Sequence, residues 1–271
     1  MKQYKVFILL IQVFLIIQIS LSGFERIAQP TSVFSKAMSG SAVFNTDNVW
    51  LNPASIAMNS LFSTSVFYSP SPFELPQLSH YGLLMATNFN EINVAAGFTS
   101  FGFSLYRETV FSLSVGAKLT EAFAAGISIH GEHLSIQSYG SALSPVFDAG
   151  AIISLSNNFN LGVSLNNISR SSFGKDDDIP QTFLSGFSYT FLENATLTAD
   201  LVHDIRYSTE YRAGIEFSPH EIITLRAGTQ SGQSRIFGGI EIALFSLRIS
   251  YGIATHTELG LSHSIGIIFS H

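Results

Sequence analysis

The stretch FSLSVGAKL, residues 111–119, sets Phe111, Leu113, Val115, Ala117 and Leu119 against Ser112, Ser114, Gly116 and Lys118. Successive side chains of a strand point to opposite sides. Once the stretch is extended, the only freedom left is what each face meets. The same design recurs down the chain. In ATLTADLVHDI (195–205), Ala195, Leu197, Ala199, Leu201 and Ile205 alternate with Thr196, Thr198, Asp200, Val202 and Asp204. In TEYRAGIEF (209–217), Tyr211, Ala213, Ile215 and Phe217 oppose Glu210, Arg212, Gly214 and Glu216. RIFGGIEIA (235–243) puts Ile236, Ile240 and Ile242 opposite Arg235 and Glu241. FSLRISYGI (245–253) puts Phe245, Leu247, Ile249, Tyr251 and Ile253 opposite Ser246, Arg248, Ser250 and Gly252.

A soluble sandwich and a membrane barrel both alternate in this way, so composition has to decide between them. Charged residues make up 12% of the 271 residues, where a soluble domain carries roughly a quarter. The apolar faces are rich in aromatics and almost free of charge. The opposite faces carry Gly, Ser and charges of both signs, as a closed lumen needs, and lack the dense Lys and Glu of a solvated sheet. This pattern implies an all-β transmembrane antiparallel up-and-down barrel, apolar toward lipid and polar within. The formal charge of −6 and the lack of a basic cluster exclude a nucleic-acid partner. With no cysteine, disulfides, thiol nucleophiles and Cys-bound metals are excluded too.

The N-terminus fits this reading. Lys2 and Lys5 precede an apolar run from Val6 to Ile19, and Ser20 and Ser22 sit at the −3 and −1 positions of a cleavage site. That is the layout of a secretory signal peptide, expected at 1–22. Beyond Gly23 no apolar run approaches the ~20 residues of a spanning helix, so a membrane would have to be crossed by strands closed into a barrel. The expected location is the bacterial cell outer membrane, with its lipid as a partner.

Period-two segments fall at about 61–69, 79–88, 91–104, 108–119, 122–137, 145–156, 159–168, 181–191, 195–205, 209–217, 221–229, 235–243, 245–254 and 258–270. This gives a barrel of about 14 strands over 61–271, an even number as bacterial barrels require. Tight joins at 88–91, 156–158, 192–194 and 218–221 should lie at one end. The longer polar connections 138–144 and 169–181 should lie at the other, facing out.

Ahead of the strands, NVWLNPASIA (48–57) holds the only Trp, Trp50, and an Asn-Pro-Ala at Asn52, Pro53 and Ala54. Proline continues neither a helix nor a central strand, so a short compact element is expected here. The chain ends in an alternating strand with Phe269 near the terminus. Together with SGSAVFNTDNVWLNPASIA, LYRETVFSLSVGAKL, DIPQTFLSGFSYTF, EYRAGIEF and IITLRAGTQSG, this ending resembles the PorV/PorQ family of outer-membrane proteins, which belongs with the FadL-like barrels. The resemblance implies a short helical segment ending in Asn-Pro-Ala and packed in the lumen. Residues 23–60 are therefore expected to form a plug or gate, with 48–57 alternatively capping the periplasmic rim of the barrel. Its helix would be capped by Thr46 or Asp47, turn once through Val49–Leu51 and stop at Pro53. The resemblance also implies two roles: an accessory of type IX-like protein secretion and surface attachment, or a passive FadL-like channel for small hydrophobic molecules. A secretion-system protein or secreted cargo would be the partner in the first role, a hydrophobic small molecule in the second.

Inward-facing charges form a lumen ladder of Lys118, Asp200, Glu210, Arg212, Glu216, Arg226, Arg235, Glu241 and Arg248, with His130, Glu132, Asp148 and Asp204 on the same face. HGEH (130–133) resembles a metal motif, but His130 and His133 fall on opposite faces of a strand. KDDD (175–178) lacks the spacing and turn glycine of a calcium loop. No hydrolase or nucleotide motif occurs, and no Ser, His and carboxylate are expected to converge, so no enzyme, cofactor or metal is expected. His263 sits on the apolar face with Leu261, Ile265 and Ile267, where lipid is expected. A channel for hydrophobic molecules should carry a long apolar external segment to catch its ligand. The polar character of 138–144 and 169–181 therefore favours the secretion role.

Overall fold

The alternation is carried directly into a sheet. A computed structural model describes residues 49–58, 62–174, 177–231, 235–256 and 259–271. The expected signal peptide, the plug segment before Val49, and the capping residues Thr46 and Asp47 lie outside the described residues, as do the side chains of Arg235 and His256. The strands are Ser63–Ser69 (β1), His80–Phe89 (β2), Ile92–Gly102 (β3), Tyr106–Thr120 (β4) and Phe123–Ile136 (β5). There follow Gly140–Ser156 (β6), Phe159–Asn166 (β7), Thr182–Leu192 (β8), Ala195–Asp204 (β9) and Glu210–His220 (β10). Ile223–Gln230 (β11), Arg235–Leu244 (β12), Leu247–His256 (β13) and Gly260–Ser270 (β14) complete the set. Each strand pairs antiparallel with its neighbours in sequence, and β1 pairs with β14 from Ser63↔Ser270 to Tyr68↔Ile265. The result is a closed fourteen-stranded antiparallel barrel.

Burial settles which face is outside. Phe111, Leu113 and Ile127 are about 60% exposed on the outer wall, whereas Ser112, Ser114 and Ser128 are at most 4% exposed within it. A soluble barrel would have the reverse arrangement. An apolar exterior with every interior backbone group paired is what lipid requires. His263 shares this outer face and is held by Tyr251, whose hydroxyl lies 2.7 Å from its Nδ1.

Turns of two residues at 90–91, 121–122, 157–158, 193–194, 221–222 and 245–246 gather at one end. The two ends of the sheet are there too, with the His271 amide donating to the Phe62 carbonyl. Short turns mark the periplasmic side of such barrels, so the longer connections face outward. Three details differ from the sequence reading. The expected loop 138–144 is mostly strand: β5 and β6 pair as far as Ile136↔Gly140, leaving a turn at 137–139 with positive φ at Ser138 and Gly140. Small Ser, Gly and Ala residues suit an inner wall as readily as a turn. Phe245 and Ser246 form a turn instead of starting β13, and Phe245 takes a φ of 53°. The third difference is a long outer connection at 70–79. It runs PSPFELPQLS, contains short 3₁₀ turns at Pro72–Glu74 and Pro76–Leu78, and is rich in apolar residues.

Inside, residues 49–58 pack against β3, β4, β5 and β6. Val49, Trp50 and Ile56 join Phe67, Leu84, Ala86 and Ala95 in one cluster, while Ala54 and Ala57 meet Ala124 and Ile152 in another.

Candidate functional site

Pro53 starts the plug helix instead of stopping it. The helix is a 3₁₀ helix over Pro53–Met58, preceded by a turn at 49–51. Proline suits a first helical position, because its missing N–H would have had no partner there. Asn52 supplies the cap: its Oδ1 accepts the Ala54 amide at 3.0 Å, and its carbonyl accepts the Ser55 amide at 3.0 Å. The Asn-Pro-Ala triplet thus opens the helix rather than closing it.

The wall beneath the helix is cut away to receive it. Gly116, Gly126 and Gly150 are register partners across β4, β5 and β6. A Cβ on Gly126 would lie 2.4 Å from the Pro53 carbonyl oxygen, and one on Gly150 would lie 2.0 Å from Asn52 Oδ1. A Cβ on Gly116 would lie 2.5 Å from Ile56 Cγ2, and one on Gly97 of β3 would lie 2.7 Å from the Trp50 ring. The glycines on the polar face therefore form a trench that seats Trp50, Asn52, Pro53 and Ile56 against the strands.

A hydrogen-bonded chain leads outward from Trp50. Its Nε1–H donates to Ser112 Oγ at 2.9 Å, and Ser112 Oγ lies 2.7 Å from His130 Nδ1. His130 Nε2 lies 2.9 Å from Asp148 Oδ2, and the Asn167 amide donates to Asp148 Oδ1 at 2.8 Å. Ser112, His130 and Asp148 sit on three consecutive strands and face inward, so a Ser, a His and a carboxylate do converge, contrary to the sequence reading. The arrangement has triad-like connections but no room for a substrate: the three residues are at most 4% exposed, and Trp50 Nε1–H covers the serine oxygen. As it stands it braces the lumen. The two-residue turn at 121–122 would by itself set Ser112 opposite Gly131; a register shift between Lys118 and Thr120 brings it opposite His130, so turn length alone does not give the pair.

Asn167 organises the connection above. It takes a φ of 53° and is fully buried. Its Nδ2 donates to the carbonyls of Ile179 at 2.8 Å and Ser171 at 3.2 Å. Its Oδ1 accepts the Ser171 amide at 2.8 Å, and its carbonyl accepts Gln181 Nε2 at 3.0 Å. Loop 167–181 is thereby folded over the lumen, with Ile179 packed on Leu134 and Val146. Lys175 and Asp176 of the KDDD stretch lie outside the described residues. Among the described residues no group of three His, Asp or Glu side chains is placed to hold a metal.

Between plug and loop lies a cavity of about 220 Å³. Trp50 and Leu51 line it from the plug, Leu184 and Val202 from the wall, and Pro180 from loop 167–181. Asp204, Arg206, Glu210 and Arg212 stand at its polar side. These charges are internally matched. Arg206 grips Asp204 through Nε at 3.1 Å and Nη2 at 2.9 Å, and Arg212 lies 3.6 Å from Glu210, which also accepts Gln230 Nε2 at 2.7 Å.

The remaining ladder residues occupy the far wall. Arg226 Nε donates to Glu216 at 2.6 Å and its Nη1 donates to Glu241 at 3.2 Å, while Arg248 lies 3.9 Å from Glu241. Coulombic attraction to these carboxylates offsets the desolvation of Arg226, whose side chain is only 3% exposed. Asp200 faces Arg212 in register and lies over Gly186. Arg235 pairs through its backbone with Gln230. Lys118 stands apart from the ladder, exposed at the periplasmic end of β4 where the strand runs into its turn.

No protein-family model matches the sequence. No curated protein matches it either. Solved structures do. The chain is similar to the Ralstonia pickettii toluene transporter TbuX, with a TM-score of 0.65, 11% identity, and coverage of 86% of this chain and 95% of that one. It is similar to the Pseudomonas putida toluene transporter TodX at a TM-score of 0.62 and 14% identity, covering 88% and 96%. It is also similar to a Pseudomonas aeruginosa FadL homologue at a TM-score of 0.59 and 12% identity, covering 89% and 97%. At these identities the likeness is one of fold. The molecule is an outer-membrane β-barrel with the FadL-like fold.

Proposed function

We propose that this barrel is a passive channel through which small, uncharged hydrophobic molecules cross the outer membrane. The cavity above Trp50 and Leu51 carries this reading. Its volume of about 220 Å³ suits a compact molecule: an apolar cavity of ~150 Å³ already holds a benzene ring. Leu51, Leu184 and Val202 give it an apolar side. Asp204 with Arg206 and Glu210 with Arg212 sum to zero charge, which favours an uncharged guest over a carboxylate.

Two further observations point the same way. Structures with this fold include two toluene transporters. The outer connection 70–79, with Phe73, Leu75 and Leu78, supplies the apolar external segment that a hydrophobic-uptake channel calls for. It reverses the preference drawn from the polar loops. The PorV/PorQ-type role in secretion rests on the sequence resemblance alone.

Uptake of labelled toluene by cells carrying the folded barrel tests the proposal. The initial rate should exceed that of cells without it and should fall when Val202→Trp fills the cavity. No rise in rate, with a protein recovered in stoichiometric amount beside the barrel, would overturn the channel reading in favour of the secretion accessory.

A further inference from the structure

The floor and the roof of the cavity belong to different parts of the chain, yet one run of hydrogen bonds joins them. We propose that this run is a latch with His130 as its positioning residue, so that the plug and loop 167–181 loosen together. Trp50 at one end is the floor. Asn167 at the other end holds the loop that contributes Pro180 to the roof.

One assignment of donors and acceptors satisfies the whole run. Trp50 Nε1–H donates to Ser112, the Ser112 hydroxyl donates to His130 Nδ1, and His130 Nε2–H donates to Asp148. Asp148 also accepts the Asn167 amide. One neutral tautomer of His130, protonated at Nε2, serves both of its neighbours. Every link lies where water does not reach, with His130 at 0% and Asp148 at 2% exposure. Withdrawing either end strands a polar group in a dry interior. Because linked hydrogen bonds polarise one another, that loss is felt at the next link along.

The plug is suited to shift as a unit. Its 3₁₀ helix runs for six residues, beyond the three or four that such helices usually sustain, and beneath Pro53 the wall offers Gly126 and Gly150. The latch rests on the channel reading only for its purpose. The coupling itself is a property of the protein without ligand, so its test does not depend on transport.

The sequence offers two clean reporters, since it has one Trp and no Cys. In the full chain folded in detergent, acrylamide quenching of Trp50 reports the plug. Maleimide labelling of Ile179→Cys, at a position only 3% exposed, reports the loop. Asn167→Ala removes the side-chain bonds to Ser171 and Ile179 that tie the loop to residue 167, whose amide is the link to Asp148; it should raise both the labelling rate and the quenching of Trp50, by about fivefold to tenfold. Trp50→Phe should speed labelling in the same way. His130→Phe should raise both signals, and adding Asn167→Ala to it should leave Trp50 quenching where His130→Phe alone puts it. The latch is overturned if Asn167→Ala frees the thiol while Trp50 quenching stays at the wild-type value. It is equally overturned if Asn167→Ala moves neither reporter. Asn167 lies in a loop, so this arm stands even if His130→Phe does not fold.

Discussion

The wall formed by β3–β6 and the wall formed by β10–β13 use the same alternation and fill the lumen by opposite means. The first removes side chains. Gly97, Gly116, Gly126 and Gly150 let the plug approach the strands, and the inward polar groups that remain include serines, the chain through His130 and the buried carboxylates Glu108 and Glu132. The second keeps its side chains long and ties Glu216, Arg226, Glu241 and Arg248 to one another. A barrel of fourteen strands is wider than its own side chains can close, given that ~8 strands already enclose a packed interior. One wall accepts a separate piece of chain, and the other braces itself.

If the charged wall is the brace, Glu241→Leu should be the costliest change. It takes from the buried Arg226 the more buried of its carboxylates, and losing one partner of a buried pair costs about 3 kcal/mol. Urea unfolding of the folded barrel in detergent reads this directly, and ion conductance should change little. Gly126→Val should do the reverse. Its Cβ meets the Pro53 carbonyl, so stability should fall by about 2 kcal/mol as for other overpacked sites, and conductance in planar bilayers should rise as the plug is lifted. Gly131→Val on the same strand, where a Cβ comes no closer than 3.8 Å to Leu143, should leave both readings unchanged. If Gly131→Val matched Gly126→Val, the trench would not be a seat at all. The smallest effect should come from Asn52→Ala, which removes the helix cap and costs about 1 kcal/mol in the same unfolding assay.

The strands were legible because each announces itself within ten residues or so: FSLSVGAKL declares its two faces without reference to any other part of the chain. What depended on two segments at once was not. Ser112, His130 and Asp148 are ordinary inward residues until the register of three strands is set, and that register depends on a shift between Lys118 and Thr120 that turn length does not announce. Pro53 misleads for a different reason. Proline ends one helix and begins another equally well, and the deciding residue is Asn52 before it. Lys118 obeys the alternation but lies so close to its turn that facing inward no longer means lying inside. The segment 138–144 reads as a loop because Ser, Gly and Ala are the residues of turns, although the pairing of β5 with β6 uses them as wall.

The seam between β1 and β14 has a consequence for assembly. Every other pairing joins strands adjacent in sequence, whereas this one brings Ser63 to Ser270 across nearly the whole barrel sequence. Closing so long a loop is the slowest kind of contact to form, which makes it the last. The plug lies immediately ahead of β1, and its trench is complete once β6 is laid down. An open sheet of the first six strands already offers Asn52 and Pro53 their seat, reached from the side. The closed barrel offers no such approach. The order of the chain thus places the cargo before the walls and the walls before the lock, as a hull is built around its ballast.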